Sequence, residues 1–246
     1  MTNINTMTPE EILKGYTENP AQFAVGQTKE ITLKNGEKAI LVISDFNHYE
    51  MKNGTKAPIT FNFYTLLAKD RCMNERWTNR GGWKACGLRK FLNKEFLETM
   101  LPDEWLPFLA PVKIVTGNGG EDNELTETFD KVFLNSEIEV QGKTVWSREG
   151  EGQPLALFRE WRNRIIGYHG KEWGWWRWLR SPGSGNSSNF CDVSSSGGAN
   201  VIYANATFGV APCFCIANLK KSASDKRAKE EDNKEIEQGN TKQPKA

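Results

Sequence analysis

The sequence predicts an α+β domain with small antiparallel sheets, short helices and long loops. A hairpin pattern spans residues 30–43, where two apolar runs flank a turn at Asn35-Gly36. Apolar side chains then recur at helical spacing across residues 87–100. Residues 183–208 are rich in Gly, Ser and Asn, which are turn-forming types. Separate helical and extended segments of this kind are typical of an α+β domain.

The first predicted element is a short helix near the N-terminus. Thr8 is its expected N-cap, Pro9 its first residue and Glu11 its third, which is the pattern of a capping box. The hairpin that follows pairs residues 30–33 with residues 38–43. Further apolar runs predict strands at residues 59–64, 112–116 and 209–216, and the chain returns to apolar order at residues 129–134.

Two longer helices and two loops complete the prediction. The helix over residues 87–100 carries its apolar residues on one side and ends at Pro102. A second helix is predicted over residues 155–166, with Leu157, Phe158, Trp161 and Ile165 on one side. A short helical turn is expected at residues 104–109, and a polar loop at residues 117–128.

The chain divides into three parts by composition. We expect a helical segment over residues 1–26, one domain over residues 27–219, and a disordered tail over residues 220–246, which is rich in charge and holds no aromatic residue. The nine tryptophans indicate that most of the chain folds, because disordered segments are poor in aromatic residues.

Several partner classes are disfavoured. The net charge is +1, so bulk charge predicts no nucleic-acid partner. No apolar run approaches the roughly 18 residues that span a bilayer, and the N-terminus has no apolar core of a signal peptide. We therefore expect a protein made in the cytoplasm, without membrane insertion, whose five cysteines are reduced.

Catalytic and metal-binding motifs are absent from the sequence. His48 and His169 belong to no local motif, so we interpret both as loop residues. Cys213 and Cys215 form a C-x-C without a second pair or a nearby His, which favours structural thiols. The acidic loop at residues 121–124 lacks the spacing of a calcium loop. The sequence therefore predicts no catalytic residue, no metal and no cofactor.

Residues 183–216 have an unusually restricted composition. This stretch contains no Glu, Lys, Gln, Met or Trp, although those types are common elsewhere in the chain. Every residue type in this stretch can arise from Asn codons mutated at their adenines, whereas those five types cannot. Turn residues explain part of the pattern, but they do not explain the interleaved Val201, Ile202 and Tyr203. Adenine-directed diversification of a binding surface would leave such a stretch.

Several separated blocks resemble a bacterial and phage domain family of unknown function. They are Trp178-Leu179-Arg180-Ser181-Pro182, Phe190-Cys191-Asp192-Val193 and residues 209–214, with Gly81-Gly82-Trp83, residues 88–93 and residues 130–140 upstream. Some members of that family resemble the variable proteins of diversity-generating retroelements. The resemblance implies a C-type lectin-like fold of the formylglycine-generating-enzyme-like subtype, with a variable ligand-binding region at about residues 183–208.

Carried over residue by residue, the resemblance divides this region into two sets. The expected scaffold positions are Phe190, Cys191, Val193, Gly197, Ala199, Ala204, Gly209, Val210, Ala211 and Pro212. The expected ligand-binding positions are Ser184, Asn186, Ser188, Asn189, Asp192, Ser194, Ser196, Gly198, Asn200, Val201, Ile202, Tyr203, Asn205, Thr207 and Phe208. The calcium-lectin triplets Glu-Pro-Asn, Gln-Pro-Asp and Trp-Asn-Asp are absent, so calcium-dependent sugar binding is not expected.

The tryptophan-rich segment just before this region is expected to support it. Trp173, Trp175, Trp176 and Trp178 are predicted to pack beneath the variable surface, because buried aromatic residues supply large apolar area. The alternative for Trp173 or Trp175 is a place on the surface as part of the site, although core packing is the expected role of each. Tyr203 and Phe208 would then act as aromatic anchors among adaptable polar contacts, as in antibody loops.

The resulting hypothesis is a non-catalytic, receptor-binding type of protein, encoded by a phage or prophage, whose partner is a protein or cell-surface ligand. A virion-associated location is compatible with it, and the oligomeric state is open. Three alternatives remain. They are a carbohydrate-binding module that uses an exposed Trp such as Trp173, an oxidase of the formylglycine-generating type that uses Cys213 or Cys215, and a structural phage or envelope protein.

Overall fold

The computed structural model describes residues 2–122 and 124–219. Within these ranges the strands are β1 (Thr28–Thr32), β2 (Lys38–Phe46), β3 (Ile59–Phe63), β4 (Leu109–Ala110), β5 (Val112–Gly117), β6 (Leu125–Asp130), β7 (Val132–Phe133), β8 (Arg177–Pro182), β9 (Asn189–Val193), β10 (Ala199–Tyr203) and β11 (Cys213–Ile216). The helices are α1 (Pro9–Glu18), α2 (Gly82–Ala85), α3 (Gly87–Leu92), α4 (Glu95–Thr99) and α5 (Glu137–Gln141). The predicted α+β class with small antiparallel sheets and short helices is therefore confirmed.

The largest sheet has the strand order β1-β2-β3-β11-β4, and β7 also pairs with β11. All of its pairings are antiparallel, so the last strand of the fold lies in the middle of the sheet beside β3. Phe61 and Phe214 meet Trp105 edge-on at ring-centroid distances of 5.4 and 5.3 Å. The core is thus closed by contacts between residues far apart in sequence.

Two smaller sheets complete the fold. β5 pairs with β6 as a two-stranded ribbon. β8, β9 and β10 form a three-stranded antiparallel sheet in the order β10-β9-β8, which we call the outer sheet. β8 is buried along its whole length, whereas each residue of β10 is partly or fully exposed. The outer sheet therefore joins the core on one side and reaches the surface on the other.

The N-terminal helix is confirmed, together with its capping box. The Thr8 hydroxyl accepts the Glu11 N–H at 3.2 Å, and the Glu11 carboxylate accepts the Thr8 N–H at 2.8 Å. The helix is amphipathic, since Ile12 and Leu13 are buried in the core. Tyr16 stacks on Phe46 of β2 at 4.9 Å, which attaches the N-terminal segment to the largest sheet.

The hairpin prediction is also confirmed, whereas the single helix over residues 87–100 is wrong. The chain instead forms α3 and α4, separated at Asn93-Lys94. The Asn93 side chain donates to the Val132 carbonyl at 2.7 Å and accepts the Lys131 N–H at 3.1 Å. These bonds to the β6–β7 connection fix Asn93 at the end of α3, so the helix does not continue.

The helix predicted over residues 155–166 is replaced by two 3-10 turns, Ala156–Arg159 and Trp161–Arg164. The Asn163 side chain donates to the Leu157 carbonyl at 2.8 Å, and the Arg164 Nε donates to the Phe158 carbonyl at 2.9 Å. These side chains satisfy carbonyls that an α-helix would use, because local polar bonds compete with the helical ladder.

The loop regions are shorter than the sequence suggests. The polar loop predicted over residues 117–128 ends where β6 begins at Leu125, and residues 183–208 include β9 and β10. The tail over residues 220–246 lies outside the described residues. In the described part of the chain, no helix combines the length and apolar character needed to cross a bilayer.

Candidate functional site

The expected ligand-binding positions lie in the outer sheet and in the loops next to it, and all but one of them are at least partly exposed. Ser184, Ser196, Tyr203, Asn205 and Thr207 are exposed. The partly exposed positions are Asn186, Ser188, Asn189, Ser194, Gly198, Asn200, Val201, Ile202 and Phe208. Asp192 is the exception, because its side chain is fully buried. Of the ten expected scaffold positions, nine are buried and Ala199 is partly exposed.

The Asn79 side chain makes hydrogen bonds that hold the loop between β8 and β9, residues 183–188. The Asn79 Nδ2 donates to the carbonyl oxygens of Asn189 at 2.8 Å and Asn186 at 3.1 Å, and lies 3.4 Å from that of Gly183. The Asn79 Oδ1 accepts the Gly120 N–H at 2.8 Å. One buried amide thus connects this loop to the β5–β6 connection.

The same loop has two further supports. The Asn186 Oδ1 accepts the N–H groups of Ser188 and Asn189 at 3.1 and 2.8 Å. The Ser184 N–H donates to the Trp146 carbonyl at 2.7 Å. Glu137 in turn fixes that segment, since its buried carboxylate accepts backbone N–H groups from residues 145–147. The loop is therefore preorganised despite its composition of small polar residues.

An exposed aromatic pair lies beside this loop. The rings of Trp77 and Tyr203 meet edge to face at 5.1 Å, and 61% of Trp77 and 49% of Tyr203 remain exposed. A cavity of about 360 Å³ lies next to them, lined by Trp77, Glu121, Gly185, Asn186, Ser187 and Ser188. Exposed aromatic residues beside amide and hydroxyl groups are typical of a recognition surface.

The sequence analysis did not find Trp77 or Asn79. Both precede Gly81-Gly82 in a polar segment, residues 74–80, that has no helical or strand periodicity. A tryptophan without apolar neighbours in the sequence does not belong to an apolar face that packs into a core. This is the one signal in the sequence that favours exposure of Trp77. Nothing in the sequence marks Asn79, because the partners of its side chain lie between 41 and 110 residues away.

At the other end of the outer sheet, the β9–β10 turn rests on a second set of side chains. The Trp161 indole N–H donates to the Ser196 carbonyl at 3.0 Å, and the Gln141 Nε2 donates to the Gly197 carbonyl at 3.2 Å. Gly197 has a φ of +88°, a left-handed conformation that favours glycine. The turn that carries Ser194, Ser196 and Gly198 is thus fixed in position.

The tryptophan-rich segment supports the outer sheet only in part. Trp178 is buried, its indole N–H donates to the Arg71 carbonyl at 2.7 Å, and its ring lies 5.1 Å from that of Phe208. Trp176 is half-buried and lies 5.7 Å from Phe208. The expected packing of Trp173 and Trp175 is wrong, because 61% and 40% of their surfaces are exposed. These two follow Gly167 and Gly170 in a surface loop and not in a strand.

Asp192 is a buried carboxylate on β9, opposite Asn200 of β10. The Asp192 carboxylate accepts the Asn200 Nδ2 at 3.0 Å, and burial raises the pKa of Asp192 to about 7. Arg177 of β8 is buried in the same region, and burial lowers its pKa to about 9. Asp192 therefore acts as a support for Asn200 from within the sheet, although the sequence analysis places it among the ligand contacts.

Glu151 is a second buried carboxyl, and it accepts a hydrogen bond from Gly117 in β5. Its effect on stability can be measured as a function of pH. Its Oε1 accepts the Gly117 N–H at 2.7 Å, and burial raises its pKa to about 7. A carboxyl whose pKa is raised by folding stabilises the fold below its unfolded pKa, and this contribution is lost as the pH rises through about 7. We expect the unfolding free energy of the wild type to fall between pH 5 and pH 8. In Glu151→Gln this fall should be smaller by on the order of 2 kcal/mol.

Urea unfolding at several pH values measures this effect. Glu149→Gln is the matched control, since Glu149 is exposed and should leave the pH profile unchanged. A parallel pH profile for wild type and Glu151→Gln would contradict the assignment.

The residues considered for catalysis lie elsewhere. Cys213 and Cys215 are buried in β11, and burial raises the pKa of both thiols, to about 12 for Cys215. The His48 Nδ1 lies 3.2 Å from the Asp45 carboxylate, and His169 is exposed in a loop. Among the residues that the structure describes, no three His, Cys, Asp or Glu side chains are grouped to hold a metal ion.

Comparison with known proteins adds one finding. No curated protein and no solved structure matches the chain. A family model described as a domain of unknown function (DUF6273) matches residues 61–218, from β3 to just past β11. This match covers more than half of the chain and includes the outer sheet, Trp77 and Asn79. The chain therefore belongs to the DUF6273 family of domains of unknown function.

Proposed function

We propose that the protein binds a protein or cell-surface ligand through the outer sheet, and that it catalyses no reaction there. The ligand-binding surface consists of the loop over residues 183–188, the exposed side of β10, residues 205–208 and Trp77. One observation carries the proposal. The positions expected to vary are at least partly exposed with the single exception of Asp192, while those expected to be scaffold are buried with the single exception of Ala199.

This separation follows from the physical requirements of a variable surface. Exposed side chains that contribute little to packing can be replaced at a cost that is usually below about 0.5 kcal/mol. The buried positions and the hydrogen bonds of Asn79 hold the backbone whatever side chains lie above it. We therefore propose that the surface is diversified by a retroelement, and that the gene is encoded by a phage or prophage.

The fold subtype belongs to the same proposal. We propose a C-type lectin-like fold of the formylglycine-generating-enzyme-like subtype. Two features support it: the C-terminal strand β11 lies inside the largest sheet, and the outer sheet, with its long loops, lies apart from that sheet. A fold of this kind separates a stable core from a variable surface.

Binding to intact bacterial cells tests the function. Fluorescently labelled protein is titrated onto a panel of strains, and Trp77→Ala and Tyr203→Ala are expected to weaken binding by about tenfold or more, since buried aromatic anchors dominate interface energies. The exposed Phe129 lies on β6 outside the proposed surface, so Phe129→Ala is the control. Equal binding by all three variants would refute the assignment of the surface.

The locus itself tests diversification. We expect a reverse transcriptase gene and a near-copy of the segment that encodes residues 183–216, differing from it only at adenines. Absence of both would refute diversification and leave the binding surface as a separate question.

Binding of a carbohydrate is a second candidate function, and the exposed tryptophans favour it. Trp161 and Trp175 are 50% and 40% exposed, yet their indole N–H groups are fixed by the Ser196 carbonyl and by Asp70. Fixed, exposed rings of this kind can stack on a sugar. On a glycan array, binding that is lost in Trp161→Phe or Trp173→Ala and kept in Tyr203→Ala would favour this function over the first.

A further inference from the structure

The free edge of the outer sheet is the feature that the proposed function does not use. The bonds from the Ala204 N–H to the Ser188 carbonyl and from the Ser194 N–H to the Gly198 carbonyl fix the β9–β10 ladder. In an antiparallel ladder, hydrogen-bonded pairs alternate with pairs that point their backbone groups away. The even-numbered residues of β10 therefore bond to β9, and Ala199, Val201 and Tyr203 direct their N–H and C=O groups outward.

These outward groups are largely unused. Within residues 2–122 and 124–219, the N–H and C=O of Ala199 and Val201 have no hydrogen-bond partner, while the Tyr203 carbonyl accepts the Ala206 N–H. Ala199 and Val201 are partly exposed and Tyr203 is exposed. An array of alternating donors and acceptors on an accessible edge is matched by another extended backbone.

Nothing along β10 protects this edge. The strand Ala199–Tyr203 contains no charged residue and no proline, and its register with β9 has no bulge. Natural proteins usually protect an exposed edge with one of these features. The side chains of β10 therefore leave this edge able to pair with another extended strand.

We propose that this partner is β10 of a second copy of the chain, paired in antiparallel register about Val201. In this register Val201 lies opposite its own counterpart, and Ala199 lies opposite Tyr203 of the second copy. The large Tyr203 side chain thus meets the small Ala199 side chain at both ends, and no like charges meet along the strand. The result is a continuous six-stranded sheet with an isologous interface.

This pairing has a consequence for ligand binding, which rests on the proposed function. Directly opposed residues of an antiparallel pair lie on the same face of a sheet. Both copies therefore present their Trp77–Tyr203 pairs on one side of the six-stranded sheet. A surface with two copies of one site gains avidity for a ligand that is repeated on a cell surface.

Analytical ultracentrifugation of the full chain over a range of concentrations tests the pairing. Val201→Pro removes the outward N–H without touching the bonds to β9, and proline is tolerated at an edge position whose N–H faces solvent. We expect the wild type to form a dimer, and Val201→Pro to raise its dissociation constant by about tenfold or more. Val201→Thr keeps the N–H and should dimerise like the wild type. A monomeric wild type, or an unchanged dimer in Val201→Pro, would overturn the proposal.

A crosslinking experiment tests the register without proline. In a Cys72→Ser background, Ala199→Cys and Tyr203→Cys chains are mixed under mild oxidation. Paired residues on adjacent strands lie about 5.5 Å apart between Cα atoms, which is within reach of a disulfide. The mixture should form a crosslinked dimer, while neither variant alone should do so. Crosslinking of a single variant, or none in the mixture, would overturn the register. A wild-type protein that dimerises but binds no cells would count against the proposed function alone.

Discussion

Replacing Arg180 with methionine is expected to lower the free energy of unfolding by about 3–5 kcal/mol, because it leaves a buried carboxylate without its counter-charge. Arg180 lies in β8 and is 1% exposed, and its partner Glu139 in α5 is equally buried. The Arg180 Nη2 lies 2.6 Å from one Glu139 oxygen, and its Nη1 lies 2.7 Å from the other. This bidentate pair joins α5 to the outer sheet.

Arg180 also satisfies two backbone groups. It donates to the Leu134 carbonyl at 2.8 Å and to the Glu151 carbonyl at 2.9 Å. The negative charge of Glu139 raises the pKa of Arg180 despite its burial, so the guanidinium stays charged. Methionine can fill most of the volume of the Arg180 side chain, but it can donate none of these hydrogen bonds. The substitution should therefore lower the unfolding free energy by more than a change in packing alone would.

Chemical unfolding of the purified variants measures the effect. The double variant Arg180→Met with Glu139→Gln removes both charges and keeps an oxygen for the Ser136 N–H, so it should recover much of the loss. Lys113→Met is a matched control, since its ion pairs with Glu50 and Glu127 are exposed and should contribute less than about 1 kcal/mol. A loss below that value in Arg180→Met would show that the pair is not important for stability.

The sequence predicted best where structure depends on neighbours in the chain. The capping box of α1 involves Thr8 and Glu11, which are three residues apart, and the first hairpin depends on Asn35-Gly36 between two apolar runs. Such signals are complete within a few residues. The prediction failed at Asn93, where a side chain bonds to a strand about 40 residues away and ends the helix.

The candidate site shows the same division. Composition is the ground on which the proposed surface is placed at residues 183–208, because residues 183–216 draw on a restricted set of types. Burial could not be predicted one residue at a time. Asp192 was expected to be exposed between the scaffold positions Cys191 and Val193, yet it is buried as they are, and Trp173 looks like a core residue yet is 61% exposed. The burial of Asp192 depends on the pairing of β9 with β10, which brings Asn200 beside it.

Asn79 is the residue on which the loop over residues 183–188 depends most, and Asn79→Ala is expected to release that loop. The substitution leaves the Gly120 N–H and the Asn186 carbonyl without their partner, while the Asn189 carbonyl keeps the Gly183 N–H. Each buried polar group left unpaired costs about 1–3 kcal/mol, and the flexibility of the loop will recover part of this. We therefore expect unfolding free energy to fall by about 2–3 kcal/mol.

Hydrogen exchange separates a local effect from a global one. In Asn79→Ala, peptides covering residues 183–189 should lose protection, while those covering the largest sheet keep it. Asn79→Asp should be at least as damaging, because a carboxylate oxygen would then face the carbonyl oxygens that now accept from Nδ2. Asn118→Ala is the control, since the Asn118 side chain donates a hydrogen bond to the exposed Asp122. Unchanged protection of residues 183–189 in Asn79→Ala would mean that Trp146 and Asn186 hold the loop without it. Loss of cell binding together with that protection would show that the ligand recognises the loop in its fixed conformation.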